Sequence, residues 1–551
     1  MSLVNRSSLL LIILLYSCLN TSGQEAKVDE VFKRYAKPQS PGAAVAVVKG
    51  DEVIFKKGYG MANLEYDIPI TPSTIFHIAS VSKQFTVYSV LLLEQKGDLS
   101  LDDDVRKYIP EVPDFGHTIT LRHLATHTSG MRDQWALLGM AGWRLDDVIT
   151  KEQIMKLVSQ QKELNFEPGE EYLYCNTGFT LLAEVVSRVS GRSFADFTDK
   201  YIFQPLEMKN TLFYDDHQKI VKNRAYSYST NGIGYKKSVL SYANVGATSL
   251  FTTVEDLSLW AMFLNEPTES QKPLVDEMST KALLNNGRTF GGGMGQFMGP
   301  YKGIPELAHG GADAGYRTYL ARYPTKNMAV IVFSNLGEFQ SSDMTHKVAD
   351  IFLADAFPPE TKPDPKNEAV EVDEETLKSY AGRYEIEPGR ILTVSARNGQ
   401  FYSRTTWEGR VNFIATSQTT FDAKNANGSV EFISNTNGEV IAVDITQNGD
   451  TKRANRVGSF DRKSVNREEL VGSYYSEELQ TTYVLKFDGK KLTGHHARHP
   501  DFRVSTLEKD VFSANAWFMR QIHFVRNNQG EITGMKVSNG RVRDLWFEKV
   551  N

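Results

Sequence analysis

Three short groups of residues carry side chains suited to making and breaking an acyl bond. The first is Ser80-Val81-Ser82-Lys83. A serine and a lysine three residues apart share one helix face. They open Val81–Gln95, the strongest apolar helical period in the chain. The N-terminal end of a helix disfavours an ammonium, which helps Lys83 shed its proton and take one from Ser80. Ser159-Gln160-Gln161-Lys162 has the same pattern but lies in a polar helical stretch without that setting. The second group is Tyr174-Cys175-Asn176. In an extended segment residues two apart point the same way, so a phenol able to relay a proton stands beside an amide able to bind a carbonyl or hold the lysine. A free phenol titrates near 10, so Tyr174 needs a positive neighbour, and Lys83 is one. The third group is His309-Gly310-Gly311. Two glycines let a backbone approach a ligand closely. The next amide, on Ala312, could pair with that of Ser80 as an oxyanion hole, where each donor is commonly worth about 10²–10³ in rate. Taken singly, Ser80 is equally an N-cap serine, Tyr174 a packing aromatic and His309 part of a glycine-rich turn. Together they form a catalytic set.

These groups must be held by a mixed α/β region before residue 358. Val81–Gln95 is expected to be a helix stopped by Gly97, and Phe179–Val189 another stopped by Gly191. Ala43–Val48, Val53–Phe55, Thr318–Arg322 and Ala329–Phe333 have the composition of strands. The run Pro358-Pro359-Glu360-Thr361-Lys362-Pro363-Asp364-Pro365 breaks regular structure, so 358–372 is expected to be a linker. Beyond it, short β-like runs such as Arg390–Ser395, Val430–Ile433 and Val440–Ile445 alternate with Asn-Gly and Gly-Gln turns, the texture of a barrel or sandwich. Leu377–Tyr384 resembles Glu469–Tyr475, and Asn437-Gly438-Glu439-Val440 resembles Gln529-Gly530-Glu531-Ile532. The offset is about 92 residues, and a copy of that size buries a modest core of its own. Two small β domains are therefore expected, 373–461 and 466–551.

Composition narrows the function classes. The chain has 551 residues, 41% hydrophobic and 23% charged, so it is neither disordered nor fibrous. With 62 Lys and Arg against 67 Asp and Glu, the net charge is −5. Nucleic-acid partners are not expected, because a phosphate-reading surface normally shows a basic excess. Residues 1–23 combine Arg6, a short apolar run near Leu9–Leu15 and the small residues Thr21-Ser22-Gly23. That is the pattern of a secretory signal, with cleavage expected near Gly23. Leu15-Tyr16-Ser17-Cys18 is a loose lipoprotein box, so membrane association is expected only if Cys18 is lipidated. The apolar run is too short to span about 30 Å of hydrocarbon. Removal of the segment leaves Cys175 as the one cysteine, without an intrachain partner. An exported protein is expected, periplasmic or secreted.

With the three groups spaced 94 and 135 residues apart, the order S-x-x-K, Y-x-N, H-G-G resembles the penicillin-recognising serine hydrolases. The middle group is similar to that of the class C β-lactamase branch, which includes D-aminopeptidases, carboxypeptidases and esterases. Further similar runs are Thr120–Gly130, Tyr174–Leu182, Ile202–Met208 and Gly246–Leu257. The resemblance spans roughly 30–350. It implies an α/β (α+β) β-lactamase/penicillin-binding-protein-like catalytic domain over 24–357, followed by two small antiparallel, lipocalin-like β-barrels, the layout of D-aminopeptidases. It implies Ser80 as nucleophile, Lys83 as its base and Tyr174 as proton shuttle. Asn176, His309, Gly310 and Gly311 would contact substrate, and the amides of Ser80 and Ala312 would form the oxyanion hole. His309 stands where β-lactamases carry a lysine for the substrate carboxylate, a departure closer to the aminopeptidase and esterase relatives. No metal or organic cofactor is needed. The expected partners are small peptides or esters, including peptidoglycan fragments. The rival readings are a β-lactamase, a slowly acylating β-lactam- or peptidoglycan-binding module, and β domains that bind a surface glycan or protein.

Other signals are bland. His495-His496-Ala497-Arg498-His499 could supply zinc ligands, but its flanking Gly494 and Pro500 suggest a surface turn. His123 and His127 are expected to be structural, and Cys175 a small buried hydrophobe. The glycine run Gly291–Gly295 lacks a nucleotide-loop pattern and is expected at a strand edge beside the site.

Overall fold

The computed structural model describes residues 23–358 and 370–550, apart from short turns near 388–389, 398–399, 407, 425–427 and 448–449. The leader, Cys18 and most of the 358–372 segment lie outside the described residues. The chain divides into two compact units, one within 23–139 and 143–358, the other within 370–550 with Met140–Gly142.

The first unit is built on a six-stranded antiparallel sheet. Its strands are β1 (Ala43–Lys49), β2 (Glu52–Tyr59), β3 (Phe297–Tyr301), β4 (Ile304–Asp313), β5 (Tyr316–Tyr323) and β6 (Met328–Ser334), in the order β3-β4-β5-β6-β1-β2. All but the last residue of β1, and every residue of β6, are buried on both faces. That explains why both are continuous apolar runs rather than alternating ones. One face packs the helical stretch 23–32 and Ser341–Phe352 around Phe32, Val45, Val330, Val332 and Phe339. Val254–Asn265 lies against β1 and β6 and buries Trp260.

Two helices position the chemistry. Helix α1 (Lys83–Lys96) ends at Gly97, whose φ of 79° is the left-handed cap that glycine adopts without strain. It is buried nearly all round, the polar Lys83, Gln84, Thr86 and Ser89 included. Helix α2 (Asn176–Ser190) ends the same way at Gly191, with φ 67°. It begins three residues before the expected Phe179 start, so Asn176 is its first residue and not part of an extended segment.

The second unit holds two closed eight-stranded antiparallel barrels, from Gly382–Glu387 to Asp450–Val457 and from Gly472–Ser476 to Leu545–Val550. The duplication is visible in matching contacts. Tyr384 Oη donates to the carbonyl of Tyr380 and Tyr474 Oη to that of Leu470. In one turn Asn435 Nδ2 donates to Glu439, and in the other Asn527 Nδ2 donates to Glu531. The tyrosines thus pair at an offset of 90 residues and the turns at 92, a small correction to the uniform offset expected from sequence. The histidine run is a hairpin: His495 contacts Asp501 at 2.6 Å and His496, buried, contacts Thr481 at 2.8 Å. His499 stacks on Phe518. His496 and His499 also face each other, with ring centres 5.3 Å apart, and among the described residues no cluster suited to a metal ion occurs.

Candidate active site

Ser80 lies in a short 3₁₀ turn, Ala79–Ser82, that leads directly into α1. Ala79 before it has φ 49°, a left-handed conformation unfavourable for alanine. Several contacts hold that turn. Ala79 N–H donates to His77 Nδ1 at 3.2 Å, Thr318 Oγ1 donates to the carbonyl of Ile78 at 2.9 Å, and Ser82 Oγ donates to that of Ala79. Strained backbone persists where its surroundings over-determine it. Here it presents Ser80 ahead of the helix.

Lys83, fully buried, places Nζ 3.2 Å from Ser80 Oγ, 2.8 Å from Asn176 Oδ1 and 2.7 Å from the carbonyl of Ala247. Asn176 is oriented in turn by Asp133, whose Oδ2 accepts both Asn176 N–H and Asn176 Nδ2, each at 2.7 Å. A carboxylate only accepts, so Nδ2 faces Asp133 and Oδ1 must face the lysine. Two N–H bonds of Lys83 are thereby committed to pure acceptors. Ser80 Oγ, 3.2 Å from the same nitrogen, is within the hydrogen-bond reach that a general base needs. Nζ also sits 5.0 Å from the Tyr174 ring centre and 5.3 Å from that of Phe179.

Tyr174 is held flat against His127, with ring centres 4.2 Å apart. His127 Nδ1 accepts from Cys175 N–H at 3.0 Å, which fixes the imidazole behind the tyrosine. Both histidines of the Thr120–Gly130 run are structural. His123 closes a capping box with Thr120, and His127 braces Tyr174. Cys175 is buried beneath them, and desolvation pushes its thiol up to about 12.

His309, Gly311 and Asp313 alternate along β4 and so share one face of it. Gly311 lies against the Ser80 turn so closely that a Cβ there would fall 2.2 Å from the carbonyl oxygen of Ile78. The missing side chain lets β4 and the amide of Ala312 come up to the nucleophile turn. His309 is buried, and its Nδ1 is 2.6 Å from the carbonyl of Gly310. That carbonyl only accepts, so Nδ1 carries the hydrogen and Nε2 is a bare acceptor, with no hydrogen-bond partner among the described residues. Burial, then the Lys83 charge, hold its pKa down to about 3, so the ring is neutral. Around it stand Phe297, at 5.3 Å, and Tyr174, at 6.2 Å between ring centres. Gly295, last of the glycine run, presses on the backbone of Lys83 and Gln84 with φ 70°. That run is irregular, joined to Phe297 by a single bridge, rather than a strand edge.

The structure thus brings Ser80, Lys83, Tyr174 and Asn176 into one cluster, with His309 beside Tyr174 and Gly311 against the Ser80 turn. Ser159, by contrast, is exposed at the end of the helix Lys151–Ser159 and donates to the carbonyl of Lys156. Residues the motifs did not indicate are Asp133, the Ala247 carbonyl and the pair of buried Thr248 and part-buried Asp313, where Thr248 Oγ1 donates to Asp313 Oδ2. Asp133 lies only three residues beyond the matching Thr120–Gly130 run, and Ala247 and Thr248 within Gly246–Leu257.

Comparison with known proteins agrees with this geometry. A model of the Beta-lactamase family matches residues 28–353, and a domain of unknown function, DUF3471, matches 366–456. A D-aminopeptidase of Brucella anthropi is 26% identical over 557 residues, covering 97% of this chain and 99% of that protein. Penicillin-binding protein 4* of Bacillus subtilis (strain 168) is 27% identical over 429 residues, covering 74% of this chain and 93% of that protein. The octameric penicillin-binding protein homologue from Pyrococcus abyssi superposes with a TM-score of 0.54 at 25% identity, over 79% of this chain and 99% of that one. From its matched catalytic region and its two-barrel continuation, the chain belongs to the beta-lactamase family and is a serine hydrolase of that family.

Proposed function

We propose that this is an exported hydrolase that acylates Ser80 with amides, esters or short peptides of D-amino acids. The observation that carries the reading is the Lys83 amine, held by Asn176 and Ala247 and 3.2 Å from Ser80 Oγ. Lys83 accepts the Ser80 proton as Oγ bonds to the scissile carbonyl carbon. The carbonyl oxygen becomes an oxyanion facing the amides of Ser80 and Ala312, and collapse expels the amine or alcohol. The leaving group takes a proton relayed through Tyr174 from the lysine. Water then adds to the acyl carbon and gives its proton to the same base, which returns it to Ser80 Oγ as the acyl–oxygen bond breaks, releasing the acid and free Ser80.

Two features favour amino-acid amides and esters over substrates with a free carboxylate on the leaving-group side. His309 is neutral there and offers a lone pair, which repels a carboxylate. Phe297 and Tyr174 make the same side aromatic. The D-aminopeptidase relatives, matched along nearly their whole length, support the substrate class. Export rests on the pattern of residues 1–23.

The test is burst and steady-state hydrolysis of p-nitrophenyl acetate, D-alanine p-nitroanilide and a chromogenic cephalosporin, each with Ser80→Ala as control. Repeated serine-dependent turnover of the D-alanine amide supports the reading. Preferred turnover of the cephalosporin overturns the substrate assignment. One equivalent of product without turnover points to a slowly acylating binding module instead.

A further inference from the structure

The second barrel carries a recess of about 320 Å³ that has no part in the acyl-transfer steps above. Three pieces of chain enclose it. One is the turn with Lys490 and Lys491, between the second strand, Thr481–Phe487, and the third, Leu492–His496. Another is the fourth strand, His499–Glu508, which supplies Arg503 and Ser505. The last is the segment leading into the first strand, with Arg462 and Arg467. The lining therefore holds five cationic side chains and no acid.

None of the five is in an ion pair among the described residues. Asp488, the acid of the lysine turn, commits Oδ1 to the N–H groups of Lys490 and Lys491, at 2.9 and 2.7 Å. It feels the Lys491 charge without ion-pair contact. Arg467 is half-buried and fixed: Nε donates to Thr506 Oγ1 at 3.2 Å and Nη2 to the carbonyl of Arg462 at 3.3 Å. The first barrel shows the alternative. Arg410, on its fourth strand, donates to Asn412 and Gln400 and lies 3.6 Å over the Tyr402 ring. Gln400 opens the third strand there, where the second barrel has two lysines just before its own. The side chain of Arg503 has no hydrogen bond, ring or carboxylate partner among the described residues.

A cleft lined by one sign of charge over apolar walls concentrates counter-ions, and the buried Leu492 and Val504 are such walls. We propose that this recess binds one phosphate group, carried by a soluble phosphomonoester or by an anionic lipid headgroup. A phosphomonoester brings about −1.5 to −2 of charge and three acceptor oxygens, where a carboxylate brings one charge. Guanidinium forks match those oxygens, and charge-assisted bonds to them are about twice as strong as neutral ones. The volume lies at the small end of the roughly 300–1,000 Å³ usual for ligand sites, the size of a headgroup rather than a polymer. The lining has no aromatic ring on which a nucleic-acid base could stack.

The experiment titrates the full chain calorimetrically with inorganic phosphate and with glycerol 3-phosphate. In parallel it sediments the chain with vesicles of mixed phosphatidylglycerol and phosphatidylcholine, or of phosphatidylcholine alone. The expected result is saturable binding of a soluble probe, or sedimentation that requires phosphatidylglycerol. Combining Lys490→Gln, Lys491→Gln and Arg503→Gln should weaken it at least about tenfold. These three side chains are exposed and make no hydrogen bond among the described residues, so the fold does not depend on them. Combining Arg404→Gln, Lys424→Gln and Lys452→Gln removes the same charge from the first barrel and should change nothing. Heat without sedimentation assigns the site to a soluble phosphate, and sedimentation without heat to a headgroup. Absence of both overturns the proposal, as do equal losses in the two triple variants or no loss in the first.

Discussion

Asp133 Oδ2 accepts two hydrogen bonds from Asn176, at 2.7 Å each, and thereby decides which end of the Asn176 amide meets Lys83. The carboxylate is buried and does not itself touch the lysine in the described contacts. Its effect on chemistry passes through the orientation of one amide.

Asp133→Ala should accordingly lower kcat on p-nitrophenyl acetate by about 10–100-fold, since each hydrogen bond to a charged group is worth about 1.5–3 kcal/mol. Asp133→Asn keeps an acceptor oxygen and should recover most of that loss. Steady-state kinetics with parallel thermal melts separates the cases. A purely structural role would lower the melting temperature without restoring kcat in the conservative variant.

The neighbouring glycines of β4 should respond differently. A Cβ on Gly311 would sit 2.2 Å from the Ile78 carbonyl oxygen and 2.3 Å from Thr318 Oγ1. The strand must then retreat from the nucleophile turn, and a displacement near 1 Å costs about 10² in rate. On Gly310 the Cβ would meet only the Tyr319 ring edge, at 3.2 Å. Ester hydrolysis by Gly311→Ala and Gly310→Ala checks this: the loss should be much larger for Gly311→Ala, and equal losses would contradict the close approach.

Stability should fall on mild acidification. Burial holds His77 and His309 down to about 3, far below the ordinary 6.5. Between those values the unfolded chain binds protons that the folded chain refuses, so the slope of stability with pH is positive. The contribution is complete above about 6.5 and shrinks as pH falls toward 3. Asp313, raised to about 6 by burial, acts oppositely, its contribution being lost as pH rises through 6. Burial also lowers His123 and His496, so the histidines outweigh the one carboxyl and predict a lower urea midpoint at pH 5 than at pH 7.5, with a shallower difference in His77→Gln. An equal or higher midpoint at pH 5 would contradict the assignment.

Cys175 should be inert in the folded enzyme although it lies between two residues of the site. Its thiol is buried, pushed up to about 12 by desolvation, and directed at the carbonyl of Met131. Peptide mapping after iodoacetamide should find Cys175 unmodified in native protein and alkylated in urea. Rapid native alkylation would mean that the thiol is accessible.

Much of this arrangement was legible in the sequence because it is local. Ser80 and Lys83 share a helix turn, Tyr174 and Asn176 are two apart, and Gly97 and Gly191 end the helices that carry them. The strands Ala43–Lys49 and Met328–Ser334 were visible as apolar runs, and the two barrels as a repeated pattern of short strands. What sequence could not supply was contact between distant segments. Asp133 meets Asn176 across 43 residues, and the Ala247 carbonyl meets Lys83 across 164. A backbone carbonyl has no residue type to notice, and an isolated aspartate reads as a surface charge until its partners are known. His127 was recognised as structural, but its stacking on Tyr174 follows from a turn with φ 61° that no composition signal marks.

The central claim is that Ser80 is acylated with Lys83 as its base. The most direct measurement is mass spectrometry of the intact protein and its Ser80 peptide, quenched in acid during turnover of p-nitrophenyl acetate. The account predicts an acetyl mass on Ser80 in wild type. It predicts no adduct in Ser80→Ala and accumulation slowed by at least about 10² in Lys83→Ala, the scale of a lost general base. Steady turnover with no adduct at Ser80, or with the adduct on another residue, would contradict it.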